Sequence, residues 1–140
     1  MTMLKKSLLT LVGLGALTAT SGCGQISYFE VETTLSGLSA SCAFAIASCE
    51  VTVTGAANDF FNLKREVCDA KAMLSRGKFQ YGTEAESGNV SFHMEIFNGN
   101  RDKLGAGDTS GPIKPGGRTA LTMTVNADPA ALTSTMACAQ

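Results

Sequence analysis

Hydrophobic and polar residues alternate with a period of two along four stretches of the chain: 25–35, 51–54, 90–97 and 118–125. In the first of them, one face carries Phe29, Val31, Thr33 and Leu35. This period, with many aromatic and β-branched residues, is typical of strands that are buried on one face. Several short strands separated by turn residues predict a mainly β protein, a small sandwich or barrel, rather than parallel βαβ units.

One segment has a different period. Asn58-Asp59 can cap a helix, and hydrophobic residues follow at spacings of three and four, at Phe60, Leu63, Val67, Ala70 and Leu74. This stripe predicts one helix near Asp59–Arg76 that ends at Gly77. A strand through Val67–Phe79 is the alternative.

Two stretches have the composition of loops. Residues 82–89 are polar, and Leu104–Gly117 is rich in glycine and contains Pro112 and Pro115. The tripeptide Asn98-Gly99-Asn100 is a strong turn signal. Because loops on a rigid sheet usually carry recognition, we expect the two loops to be the contact surfaces.

The first 22 residues have the organisation of a secretory signal peptide. Lys5 and Lys6 precede an apolar run over 7–19, and small residues follow. The run is too short to span a bilayer comfortably, which takes about 20 apolar residues. The expected division is therefore a cleaved signal peptide at 1–22 and a single β-rich domain at 23–140.

The end of this leader, Thr20-Ser21-Gly22-Cys23, resembles the lipobox of bacterial lipoproteins. The resemblance implies cleavage before Cys23 and attachment of lipid (palmitate among the acyl groups) to that cysteine. Several acyl chains would anchor the protein firmly. Gly24 rather than Asp follows the cysteine, which in that class implies sorting to the outer membrane. Thr20 departs from the usual Leu, and an ordinary secretory signal cut near the same bond is the alternative.

The five cysteines are consistent with this interpretation. An odd number would leave one thiol over in an oxidising compartment. Assigning Cys23 to lipid leaves an even set of disulfide candidates, Cys42, Cys49, Cys68 and Cys138. Three pairings are possible, of which we favour Cys42–Cys49 with Cys68–Cys138. Zinc is the rival use of these thiols, but the sequence lacks the Cys-x-x-Cys spacing that such sites use.

The second half of the mature chain resembles small immunoglobulin-like envelope domains of the FxLyD type. The residues concerned are Val90-Ser91-Phe92-His93-Met94-Glu95-Ile96-Phe97-Asn98-Gly99-Asn100, followed after a spacer by Pro115-Gly116-Gly117 and a strand. The resemblance covers about a third of the mature chain. It implies an immunoglobulin-like β-sandwich and supplies no functional residue.

The sequence offers little for catalysis or cofactor binding. His93, the only histidine, lies on the outward face beside Glu95, and two ligands are too few for a metal site. Ser110 with His93 and either Asp102 or Asp108 has the residue types of a catalytic triad, but loops share that composition. The leader holds two of the 11 basic residues and no acidic residue, so the mature charge is about −3, which does not favour nucleic acid. We therefore expect no catalytic, cofactor-binding or metal residues.

The resulting hypothesis is a lipid-anchored protein of the outer membrane with a non-catalytic role in envelope structure, adhesion or assembly. It predicts the membrane as a partner through Cys23 and a further envelope or surface protein as a second partner. The alternative is a periplasmic or secreted binding or inhibitor module. An enzyme that uses His93 or Ser110 ranks third.

Overall fold

The computed structural model describes residues 24–68 and 77–128. These residues form seven strands and two short helices. In chain order the elements are β1 (Ser27–Ser36), α1 (Ala40–Phe44), β2 (Ile46–Gly55), β3 (Asp59–Asn62), α2 (Arg65–Cys68), β4 (Gly77–Thr83), β5 (Asn89–Asn98), β6 (Lys103–Pro112) and β7 (Arg118–Ala127). The prediction of a mainly β protein is confirmed.

The strands form one hydrogen-bonded sheet in the order β3-β2-β5-β6-β7-β1-β4. β1 and β7 pair in parallel, and the other neighbours are antiparallel. β6 and β7 pair at Gly105 with Ala127 and at Ala106 with Asn126. The sheet curls so that its two halves face each other, which gives a small fold of the sandwich or barrel type.

Phe92 of β5 lies at the centre of the core between these halves. Its ring centroid is 5.4 Å from Phe29 on β1, and 5.9 Å and 5.6 Å from Phe79 and Tyr81 on β4. All three contacts are edge-to-face, the arrangement that aromatic quadrupoles favour. The alternating residues predicted to face inward on β1, β2, β5 and β7 line this core, as expected.

The two strands at the ends of the sheet order, β3 and β4, come together across aromatic side chains. Phe61 of β3 stacks on Tyr81 of β4 with the ring centroids 6.0 Å apart and the planes 6° from parallel. Phe61 also contacts Phe79 edge-to-face at 6.2 Å. We call these contacts of Phe61 with Tyr81 and Phe79 the aromatic seam; they hold the two ends of the curled sheet together through side chains.

The predicted helix over Asp59–Arg76 is wrong at its start. Residues Asp59–Asn62 form β3, and only Arg65–Cys68 are helical before the segment 69–76, which lies outside the described residues. Phe60, the first member of the predicted stripe, is 58% exposed, and its neighbour Phe61 faces the core instead. Antiparallel pairing with β2 therefore outweighs the local helical spacing.

The interpretation of Leu104–Gly117 as a loop is also wrong over most of its length. Residues up to Pro112 belong to β6, which pairs with β5 along its whole length. Its glycines are required by a close approach to β7. A Cβ atom on Gly107 would lie 2.5 Å from the carbonyl oxygen of Thr124, and one on Gly111 would lie 2.7 Å from Leu121 Cδ2. The glycine content reflects this close approach of the two strands rather than a flexible loop.

Candidate functional site

The chain enters the sheet at one end, which we call the N-terminal end and define by residues 24–28, 84–88 and 113–117. The Tyr28 amide donates to the Gly117 carbonyl at 2.9 Å, and the Gly116 amide donates to Ser27 Oγ at 3.2 Å. The Gln25 side chain lies over Gly116, so that a Cβ atom there would lie 2.6 Å from Gln25 Oε1, and the φ of +62° at this position also favours glycine. The first described residues are thus fixed against the 113–117 turn.

The loop 84–88 lies at the same end. Thr83, which precedes the loop, pairs with Ser27, and the Ile113 amide donates to the Gly88 carbonyl at 2.8 Å. Ile26 and Tyr28 expose 44% and 42% of their surface here. The loop predicted over 82–89 is therefore confirmed at 84–88, and it lies beside the start of the described chain.

The opposite end, which we call the distal end, comprises residues 37–45 and 99–102. Ile46, the first residue of β2, pairs with Asn98, the last residue of β5, so the two segments are neighbours. Asn98 Oδ1 accepts the amides of Asn100 and Asp102, both at 2.9 Å, which confirms the predicted turn. Phe44 of α1 is 62% exposed at this end, the highest fraction among the large hydrophobic side chains described.

The outer face of β5 and β6 carries His93, Asp108 and Ser110, which are the residue types of a catalytic triad, and it does not arrange them as one. His93 Nδ1 lies 2.6 Å from Asp108 Oδ1, as a triad requires, but His93 Nε2 faces Glu95 Oε1 at 3.6 Å. Ser110 pairs with Ser91, on the other side of His93 from Glu95 along β5. The ring nitrogen that would activate the serine is turned away from it.

The same geometry argues against a metal site at His93 and Glu95. Asp108 would be the third ligand, but it contacts one ring nitrogen while Glu95 faces the other. A single ion cannot bind both nitrogens of one imidazole, so these three side chains cannot share one. Within residues 24–68 and 77–128, no group of three His, Cys, Asp or Glu side chains has the geometry to hold a metal ion.

Glu95 on this face also forms an ion pair with Lys103, whose Nζ lies 2.8 Å from Glu95 Oε1. The hydrogen bond from Lys103 lowers the pKa of the Glu95 carboxyl, partial burial opposes the shift, and His93 adds to it. The same bond raises the pKa of Lys103. Sequence reasoning missed Lys103, because its proximity to Glu95 depends on the register of β6 against β5.

The cysteine pairing that we favoured is not the one in the structure. Cys42 takes part in a disulfide bond, whereas Cys49 and Cys68 are buried thiols. The two thiols are hydrogen-bonded to each other, which joins β2 to α2. The partner of Cys42 therefore lies outside the described residues, as do Cys23 and Cys138.

Comparisons with known proteins add no relative to these observations. No protein-family model matches the chain, and neither a curated protein nor a solved structure shows significant similarity to it. Among the described residues, no helix is long and apolar enough to cross a bilayer. The likeness to lipoproteins and to FxLyD-type domains thus remains a prediction from the sequence.

Proposed function

We propose that this protein is a lipid-anchored component of the cell envelope, held in the outer membrane through Cys23, with a non-catalytic role in assembly or adhesion. The observation that carries the proposal is the position of β1, which begins at Ser27, only four residues after Cys23. Four extended residues span at most about 14 Å. An acylated Cys23 would therefore hold the N-terminal end of the sheet against the membrane surface.

The exposed side chains at this end fit such a position. Ile26 and Tyr28 point into solvent within five residues of Cys23, and tyrosine suits the boundary between lipid and water. The disulfide at Cys42 supports an exported protein, because such bonds persist mainly in oxidising compartments.

This orientation changes the expected contact surface for a protein partner. The loop 84–88 and the turn 113–117 would face the membrane, so they are poorly placed to bind another envelope protein. The distal end faces away from the membrane, and its exposed Phe44 offers the kind of aromatic anchor that interfaces use. We assign partner binding to the distal end.

Fractionation tests the anchor. The wild-type protein, expressed in its own host, is expected in the membrane fraction with the mass of an acylated chain, and Cys23→Ser is expected in the soluble fraction. Gly99→Ala, at a distal position with no atom within 4 Å of the added Cβ, is the matched control and should remain in the membrane. A wild-type protein found soluble and without lipid would refute the anchor and favour the alternative, a periplasmic or secreted binding module.

Photocrosslinking tests the orientation. A benzophenone side chain is placed at position 44 or at position 86, both of which are exposed. We expect protein adducts from position 44 and lipid adducts from position 86. Protein adducts from position 86 alone would refute the assignment of partner binding to the distal end.

A further inference from the structure

Cys49 and Cys68 are the pair of side chains whose arrangement the proposed function does not explain. Cys49 lies in the middle of β2, and Cys68 is the last described residue of α2. Both belong to the main hydrophobic cluster, with 1% and 2% of their surface exposed. Their thiols are hydrogen-bonded to each other.

The backbone around the pair keeps the two cysteines together. The Leu63 amide donates to the Cys49 carbonyl at 3.1 Å, which fixes the chain just before α2 against β2. Within α2, the Cys68 amide donates to the Lys64 carbonyl at 3.3 Å, so the turn of helix returns Cys68 toward that strand. Two thiols held in this way need little movement to bond.

We propose that Cys49 and Cys68 form a disulfide bond in the exported protein and that this bond ties α2 to β2. In the reaction, one thiolate attacks the disulfide of an oxidant, which is a thiol oxidoreductase of the envelope or oxidised glutathione. The second thiolate then displaces the oxidant from the mixed disulfide. One Cys49–Cys68 bond forms, the disulfide of the oxidant is broken, and the oxidant leaves as two thiols that carry the two cysteine protons.

The burial of the pair determines when the bond forms. The hydrogen bond with Cys68 and burial both raise the pKa of the Cys49 thiol well above its usual value, so thiolate is scarce in the folded protein. A large oxidant also cannot reach either sulfur there. The bond therefore forms while the chain is still folding, and it is then shielded from reductants.

The bond would also stabilise the edge of the sheet that β3 forms. The segment that it closes contains β3, whose Phe61 stacks on Tyr81 in the aromatic seam. Restricting this segment in the unfolded chain favours the closed seam. The inference requires that the chain reaches an oxidising compartment, which is part of the proposed function, but it does not require lipid on Cys23.

The pairing of the remaining cysteines follows from the same inference. With Cys49 joined to Cys68, and with Cys23 acylated as proposed, Cys138 is the cysteine left to bond with Cys42. This pairing differs from the one that the sequence favoured.

Peptide mapping of the wild-type protein, purified from its membrane without reductant, tests the bond. We expect a linked peptide that contains Cys49 and Cys68 and separates on reduction. Recovery of both cysteines as alkylated thiols without reduction would overturn the proposal.

An experiment in vitro separates this inference from the proposed function. Unfolded Cys23→Ser/Cys42→Ser/Cys138→Ser, which keeps only the proposed pair, is refolded in a glutathione redox buffer. We expect a monomer that has lost two hydrogen atoms and melts about 10 °C above its reduced form. Reduced protein that is already folded should oxidise at least about 100-fold more slowly than the same protein in urea. A refolded chain that keeps both thiols, or that oxidises only to dimers, would overturn the inference even if Cys23 proves to be lipidated.

Discussion

The close approach of β7 to β6 makes Gly107 a position where one added methyl group should be harmful. A Cβ atom there would lie 2.5 Å from the carbonyl oxygen of Thr124 and 3.0 Å from both the Thr124 carbonyl carbon and Val125 Cα. Ordinary contacts begin near 3.4 Å, so the strands would have to separate by almost 1 Å. All three obstacles are backbone atoms, which cannot rotate away.

The cost of Gly107→Ala can be estimated from this geometry. Overpacking of this kind lowers the free energy of unfolding by about 1–3 kcal/mol. Alanine also restricts the unfolded chain, which offsets about 0.4–1 kcal/mol of that loss. Separation of the strands also weakens the nearby pairing of Gly105 with Ala127. We expect the free energy of unfolding to fall by about 2 kcal/mol, which corresponds to about 8 °C in Tm for a domain of this size.

Urea unfolding followed by far-UV circular dichroism measures the loss, and two other glycines calibrate it. Gly99→Ala places its Cβ in open space and should change the stability by less than about 0.5 kcal/mol. Gly111→Ala meets the end of the Leu121 side chain, which can move, so its cost should lie between the other two. A Gly107→Ala protein as stable as Gly99→Ala would refute the idea that close approach of β7 explains the glycines of β6.

Three further substitutions test the core, the turn and the charged face. Phe92→Ala removes the ring at the centre of the core and should cost about 3–5 kcal/mol in urea unfolding. Asn98→Ala removes the acceptor of two turn amides and the donor to Asp102, and should cost about 2 kcal/mol by the same measurement. Glu95→Gln should cost about 0.5 kcal/mol at pH 7, because its exposed partner Lys103 is screened by solvent. Because the pKa of Glu95 is lower in the folded protein than in the unfolded chain, its carboxylate stabilises the fold at pH values above the unfolded pKa of about 4.3. The difference in stability between wild type and Glu95→Gln should therefore vanish as the pH falls toward about 3.

Each of these predictions has an outcome that contradicts it. A Phe92→Ala protein that loses less than about 1 kcal/mol would show that the core is not organised around this ring. Full stability of Asn98→Ala would mean that water replaces the side chain in the turn. A Glu95→Gln difference that persists at pH 3 would place its origin in packing rather than in charge.

The parts of the fold that the sequence predicted are those in which local pattern and burial coincide. Along β5, Val90, Phe92, Met94 and Ile96 are all buried, since a strand with one face on a core must alternate. The spacing of Phe60, Leu63 and Val67 matched a helix by coincidence, because pairing with β2 turns Phe61 inward instead. No local signal distinguishes these cases, since the deciding partner is distant in sequence.

The candidate site was predictable only in part for the same reason. Alternation placed His93 and Glu95 on the outward face, where they are found. The approach of Asp108 to one nitrogen of His93, and of Lys103 to Glu95, depends on the register of β6 against β5. The glycine and proline content of β6 predicts a loop instead. The Cys49–Cys68 contact likewise depends on how the chain returns after β3.

The aromatic seam has a consequence for molecules crowded at high density. Exposed strand edges are templates on which sheets of neighbouring molecules can grow. Here β3 and β4, the two ends of the described sheet, lie against each other through Phe61 and Tyr81, so each edge obstructs access to the other. A neighbouring strand would have to separate these rings before it could pair. A protein concentrated in two dimensions on a surface would thereby be protected against edge-to-edge aggregation.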